Sequence, residues 1–107
     1  MRYASVLVTA GFRDSVDEIL AWIAARNPQR AASVADELLD RAGSLDEMAR
    51  RGRMVPEAMD DNLRELLVIK NEYRMIYRVD DARSIVEILV LWPARKPLQL
   101  DKLLDGE

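Results

Sequence analysis

The chain has 107 residues, half of them apolar, with 16 basic against 19 acidic side chains and a formal charge of −3. That length supports one compact domain spanning residues 1–107 and leaves no room for a second core. Cysteine and histidine are both absent, which excludes thiol nucleophiles, disulfides, imidazole bases and the usual zinc sites together, so any chemistry must use Arg, Lys, Tyr, Asp or Glu.

Tyr3 to Thr9 is short and β-prone and reads as a first strand, closed by Ala10-Gly11. Ser15-Val-Asp-Glu18 has the form of a capping box, and Val16, Ile19, Leu20 and Ile23 follow at helical spacing, so a first helix is expected to run to Asn27. Pro28 suits the first turn of a second helix, whose apolar stripe is Ala31, Val34, Ala35, Leu38, Leu39 and Ala42. Gly43 interrupts that stripe and Ser44-Leu-Asp-Glu47 repeats the capping pattern; a continued but bent helix is expected. Residues 50–62 follow neither period and read as a surface loop.

From Arg64 to Val79 two β-rich runs flank a Lys70-Asn71 turn, the pattern of a hairpin. Ser84 to Trp92 follows after Asp80-Asp-Ala-Arg83 and adds a third antiparallel strand. The element order is β-α-α-β-β-β, an α+β fold with a helical hairpin packed on one face of an antiparallel sheet.

A two-residue turn pairs Val68 with Tyr73 and fixes which residues share a face. Leu66, Val68, Tyr73, Met75, Tyr77 and Val79, joined by Val86, Ile88 and Val90, form the face expected to receive the helices. The other face collects Glu65, Glu72, Arg74, Arg78 and Glu87, together with Leu63, Leu67, Ile69, Ile76, Ile85, Leu89 and Leu91. It is too apolar for plain solvent exposure. The tail Leu98 to Leu104 is too short to cover a four-stranded sheet, so a protein partner is expected there, with Trp92 near the rim.

There is no run of about 18 apolar residues and no charged-then-apolar leader, so a cytoplasmic protein without membrane contact is expected. The acidic excess lies in residues 1–62, while 63–107 are balanced. A general nucleic-acid binder should be clearly basic, and this chain is not.

Arg51-Gly52-Arg53-Met-Val-Pro56-Glu57, then Leu63-Arg64-Glu65-Leu66, then Tyr73-Arg74-Met-Ile-Tyr77-Arg78-Val79 resemble, in order and spacing, the RelE/ParE superfamily of type II toxin–antitoxin toxins. The segment Asp17 to Asn27 is similar to that family's first helix, and the resemblance covers roughly residues 12–98. It implies two helices on an antiparallel sheet, no cofactor or metal, and a toxin neutralised by a small antitoxin in a hetero-oligomer. The antitoxin contact is then expected on the surplus apolar face, at Leu67, Ile76, Leu89, Leu91 and Trp92. Within the superfamily, RelE-like members cleave mRNA in the ribosomal A site, whereas ParE-like members poison DNA gyrase.

RNA cleavage at a 2′-hydroxyl needs a proton acceptor, a stabiliser for the phosphorane charge and a donor to the leaving oxygen. RelE-like sites draw on Lys, Arg and a C-terminal Tyr or His, but no Tyr or His follows Tyr77 here. Arg74 and Arg95 remain as phosphate-binding groups if the chain is a nuclease, and the acidic pI of 5.0 suits ribosome docking poorly. The ParE-like reading is therefore preferred: no catalytic residues, and gyrase rather than ribosome and mRNA as the target. Inactivity as an interaction module is the third reading.

Candidate target contacts are Arg53, Arg64, Arg74, Arg78, Arg95 and Lys96. Arg74 and Arg78 share a face with three glutamates, where an ion-pair lattice and a target site are both open. The Arg50-Arg51-Arg53 run also reads as a solvated charge run, and Arg64 as an anchor for a carbonyl or carboxylate. Tyr73 and Tyr77 alternate with apolar neighbours and read as core residues with a bonded hydroxyl. Arg95 and Lys96, between two prolines at the sheet's end, are the preferred pair.

Overall fold

Alternating β-branched, aromatic and charged side chains from Leu63 onward fold as three strands that carry the rest of the molecule. A computed structural model describes residues 2–105. In chain order the elements are β1 (Ser5–Val8), α1 (Ala10–Ala24), α2 (Pro28–Gly43), β2 (Arg53–Met54), β3 (Leu63–Val68), β4 (Tyr73–Asp80), β5 (Ile85–Pro93) and α3 (Leu100–Asp105), with 3₁₀ turns at Ser44–Asp46 and Ala49–Arg51. The sheet order is β1-β5-β4-β3-β2. Strands β2 to β5 are antiparallel neighbours. β1 adds a parallel edge against β5, from Ser5 opposite Ile85 to Val8 opposite Ile88.

The first hairpin has the expected register, Val68 opposite Tyr73. Lys70 and Asn71 both have positive φ, 54° and 63°, which gives the turn the twist that suits a two-residue hairpin. Glu72 N closes it on Ile69 O at 3.0 Å. The second hairpin is closed by the four residues 81–84, since Asp80 pairs with Ile85. Residues 53–54, expected to lie in a loop, add a short strand to the free edge of β3.

Helix α1 begins earlier than its capping-box pattern indicates. Thr9 is the cap, its Oγ1 accepting from Phe12 N at 3.2 Å while donating to Ile88 O at 2.8 Å. Ser15 is interior to the helix; its hydroxyl donates to Phe12 O and accepts from Leu91 N at 2.9 Å. A serine that can satisfy a backbone donor on a neighbouring strand is not free to cap. For α2 the expectation holds: Asn27 caps Arg30 N and Pro28 occupies the first turn. After Gly43 the chain tightens into a 3₁₀ turn that buries Leu45 completely, in place of a bent α-helix.

The inner face packs Met75, Tyr77, Val79, Val86, Ile88 and Leu91 against Phe12, Ile23, Val34 and Leu38 of the helices. At roughly 1.5–3 kcal/mol for each large side chain removed from water, this layer outweighs any surface charge pair. One irregularity redirects β5. Tyr77 pairs with Ile88 and Ile76 with Val90, leaving Leu89 as an extra residue. This bulge exchanges the faces of the residues beyond it. Leu91, expected outside, joins the inner core, and Val90, expected inside, packs on the outer cluster.

The outer face differs most from expectation. Val55, Leu63, Ile76, Leu89, Leu98 and Leu103 form a second buried cluster, with Ala58, Trp92 and Leu100 against it. The 55–63 loop and the tail from Leu98 together cover a face that the tail alone is too short to cover. Ile76 and Leu89 are 0% and 3% exposed, so the apolar surplus of this face is sheltered by the chain itself.

Candidate functional site

Strand pairing places Glu65 opposite Ile76 and Leu67 opposite Arg74, so Glu65 and Arg74 meet diagonally on the outer face, within reach of long side chains. Arg74 Nε donates to Glu65 Oε1 at 2.8 Å and its Nη2 lies 2.6 Å from the same oxygen. The terminal nitrogens of Arg74 grip both oxygens of Glu57 at 2.7 and 3.0 Å. On the far side Arg53 Nε reaches Glu65 Oε2 at 2.6 Å. The guanidinium of Arg74 holds the Glu57 carboxyl down to about 2, and Glu57 and Glu65 raise Arg74 above its ordinary value. Two carboxylates claim this cation inside a nearly closed site, so it offers no open face to a phosphate.

Tyr77 is fully buried. Its hydroxyl donates to Ala49 O at 2.6 Å and accepts from Gly52 N at 3.1 Å, and burial pushes its pKa up. A Cβ on Gly52 would meet this hydroxyl and would come within 2.6 Å of Glu65 O. The pair is structural, holding the 49–52 turn against the sheet.

Arg64 donates to Asp61 O and Gly52 O at 2.8 and 3.1 Å, as an anchor for carbonyls. Arg78 lies 3.6 Å from Glu87. Arg95 and Lys96 are exposed on the turn after β5, which is closed by Lys96 N on Pro93 O and by Trp92 Nε1 donating to Lys96 O, both at 3.1 Å. Arg53, Arg74 and Glu65 are brought together, while Arg95 and Lys96 lie outside that network, on the turn just past the Arg74–Trp92 strand pair. Of the residues assigned to an antitoxin, Leu67 is exposed and Trp92 half-buried; Ile76, Leu89 and Leu91 are inaccessible.

Three features were not anticipated. Glu57 could not be placed because its loop has no period. Tyr3 donates to Asp81, which also accepts from Arg50 Nη2 at 2.8 Å. The Tyr3 hydroxyl, then Arg50, holds the Asp81 carboxyl below its usual value. This cluster ties the N-terminal segment to the β4–β5 turn, beside a cleft of about 490 Å³. Thirdly, an apolar cleft of about 280 Å³ opens between α1 and α2, lined by Phe12, Val16, Leu20, Leu38 and Leu39. Val8, which also lines it, and Leu39 are 42% and 72% exposed. Among the described residues no group of acidic side chains could hold a metal ion.

The family model described as ParE toxin of type II toxin-antitoxin system, parDE, matches residues 6–97. The chain belongs to this family. Comparison with curated protein sequences returns no significant match. Among solved structures, a chain of the chromosomal ParDE toxin–antitoxin system from P. aeruginosa superposes with a TM-score of 0.70 at 17% identity, over 85% of this chain and 96% of that one. The RelBE2 toxin–antitoxin complex from Mycobacterium tuberculosis gives 0.57 at 21% identity, over 87% and 99%. An arginine-substituted mutant of E. coli toxin RelE in the free state gives 0.57 at 15% identity, over 99% and 94%. At such identities the likeness is one of fold. The ParE-family chain thus has the two helices and sheet of both branches.

Proposed function

We propose that this ParE-family toxin arrests growth by binding an essential protein target, DNA gyrase, and that a cognate antitoxin neutralises it. The state of Arg74 carries the reading. A nuclease built on this sheet would need that guanidinium free for a phosphate, with a proton-transfer group beside it. Instead Glu57 and Glu65 occupy it, and the hydroxyl of Tyr77, on the other face of the strand, is buried and doubly bonded. Arg53 is tied to the same network. The candidate target contacts that stay open are Arg95 and Lys96.

The antitoxin contact moves with the same logic. Since the chain covers Ile76 and Leu89 itself, the apolar concavity that stays open is the α1–α2 cleft with Val8 and Leu39, and an apolar segment of the antitoxin would find shelter there. No helix among the described residues is long and apolar enough to cross a membrane, and the cytoplasm is where the chain would meet gyrase and antitoxin.

Purified chain added to gyrase supercoiling and cleavage-complex assays tests the target. Inhibition at micromolar toxin is expected. Intact supercoiling, combined with codon-specific cuts in mRNA during in vitro translation, would overturn the reading in favour of the ribosome.

A further inference from the structure

Each of the two tryptophans in the chain has a cation close to its ring, and both lie on the flank where α1 meets the end of β5. Trp22 is 58% exposed on α1. The Arg26 guanidinium lies 3.9 Å from its ring centroid and Arg26 Nη1 donates to Trp22 O at 3.0 Å. Trp92 closes β5 half-buried, with Lys96 Nζ 6.0 Å from its centroid. Between α1 and the second half of β5 runs a cleft of about 180 Å³, lined by Ser15, Glu18, Ile19, Trp92, Pro93 and Lys96. Trp22 follows Ile19 by three residues and Glu18 by four, which sets it on the same side of α1, one turn further along. The two rings border one surface.

β1 does not reach this stretch, because its ladder with β5 stops at Ile88. The exposed edge is nevertheless closed to strand addition: Ser15 Oγ takes the Leu91 N–H at 2.9 Å, and Pro93 has none to give. A visitor must therefore dock through side chains.

Charge narrows the choice of visitor. Arg26, Arg95 and Lys96 are exposed, and among the described residues none has a carboxylate within ion-pair distance. Arg30, Arg50, Arg53, Arg64 and Arg74 all do. Arg13, Arg41, Arg51 and Lys70 are also exposed without such a carboxylate, so what sets this flank apart, on a chain of net charge −3, is that Arg26 and Lys96 stand beside the two indole rings. Three cations beside Glu18 neutralise too few phosphates to hold a nucleic acid. Exposed Trp and Arg, by contrast, are the residue types in which protein–protein binding concentrates.

We infer that this flank receives an acidic segment of the toxin's protein target, with an apolar side chain entering the cleft beside Trp92 and carboxylates meeting Arg26, Arg95 and Lys96. The inference rests on the toxin reading above and adds α1 to the target surface.

The test is growth arrest on induced expression without antitoxin, using full-length Trp22→Ala and the double reversal Arg26→Glu/Lys96→Glu. Arg13→Glu/Arg41→Glu, a reversal of two exposed cations elsewhere, is the control. Both test variants should need at least tenfold more inducer to arrest growth while melting within a few degrees of the parent, and the control should arrest growth as the parent does. Arrest at parental levels by the test variants, or equal loss in the control, overturns the inference. So does binding of the purified parent to a DNA or RNA oligonucleotide that the double reversal abolishes. Test variants that arrest growth normally but escape neutralisation by the product of the adjacent reading frame would assign the flank to the antitoxin. A parent that arrests growth yet leaves purified gyrase active removes only the gyrase reading, and a parent without effect on growth removes both.

Discussion

Arg74 and Glu65 meet at 2.6 Å on the outer face of the sheet, their side chains only 6% and 0% exposed. Removing one member of such a pair leaves the other charge buried. Arg74→Ala should therefore cost about 3 kcal/mol of stability, Arg53 still holding one oxygen of Glu65, whereas Arg74→Met with Glu65→Leu should return to within about 1 kcal/mol of the parent. Urea denaturation of the three proteins checks this. Equal losses in the single and double variants would show that the pair does not act as a unit.

The clamp also sets an acid limit. Glu57 titrates at about 2 in the folded chain against an ordinary 4.5. Its stabilisation is complete above the unfolded value and is lost as the pH falls from about 4.5 towards 2, because the unfolded chain then takes up a proton that the folded one refuses. In Glu57→Gln the melting temperature should fall less steeply across that interval than in the parent. Thermal melts at half-unit pH steps suffice, and parallel curves would remove Glu57 as the titrating group.

Gly52→Ala should destabilise by about 2 kcal/mol, since its Cβ would press on the Tyr77 hydroxyl and on Glu65 O. Adding Tyr77→Phe removes only one of these obstacles, so the double variant should recover little. A full rescue in denaturant titrations would place the whole clash at the tyrosine.

Thr9 and Ser15 divide two tasks. Thr9→Ala removes the helix cap at a cost of about 1 kcal/mol. Ser15→Ala leaves Leu91 N without its partner and should cost about 1–3 kcal/mol. Hydrogen exchange separates them: faster exchange at Phe12 N in the first variant, at Leu91 N in the second. Exchange at Phe12 that quickens only in Ser15→Ala would reverse the assignment.

Periodicity together with Pro28 and the Lys70-Asn71 turn made the helical hairpin and the first strand pair legible, because each punctuating residue narrows the local geometry. The start of α1 was missed since Ser15-Val-Asp-Glu18 satisfies a capping pattern that the fold uses otherwise, with Ser15 turned to Leu91. Leu91 and Val90 were put on the wrong faces because nothing local to β5 announces the extra residue at Leu89. Glu57 and the 55–63 cover lay beyond reach for a different reason: their partners are distant along the chain, and contacts of that kind leave no local period. Within the candidate site, the shared face of Arg74 and Glu65 left their ion pair as one of two open readings, while the second carboxylate on Arg74, Glu57, comes from a loop with no period to place it.

The parallel edge has a temporal consequence. Ala4 bonds to Ser84 across 80 positions, so β1 has no seat until β5 has emerged from the ribosome. Contacts so distant in sequence are slow to close. An interrupted copy lacking β5 therefore loses three things at once: the partner of β1, the partner of β4, and the tryptophan-bearing end with Arg95 and Lys96. Prematurely terminated synthesis of this toxin should yield fragments that cannot complete the sheet.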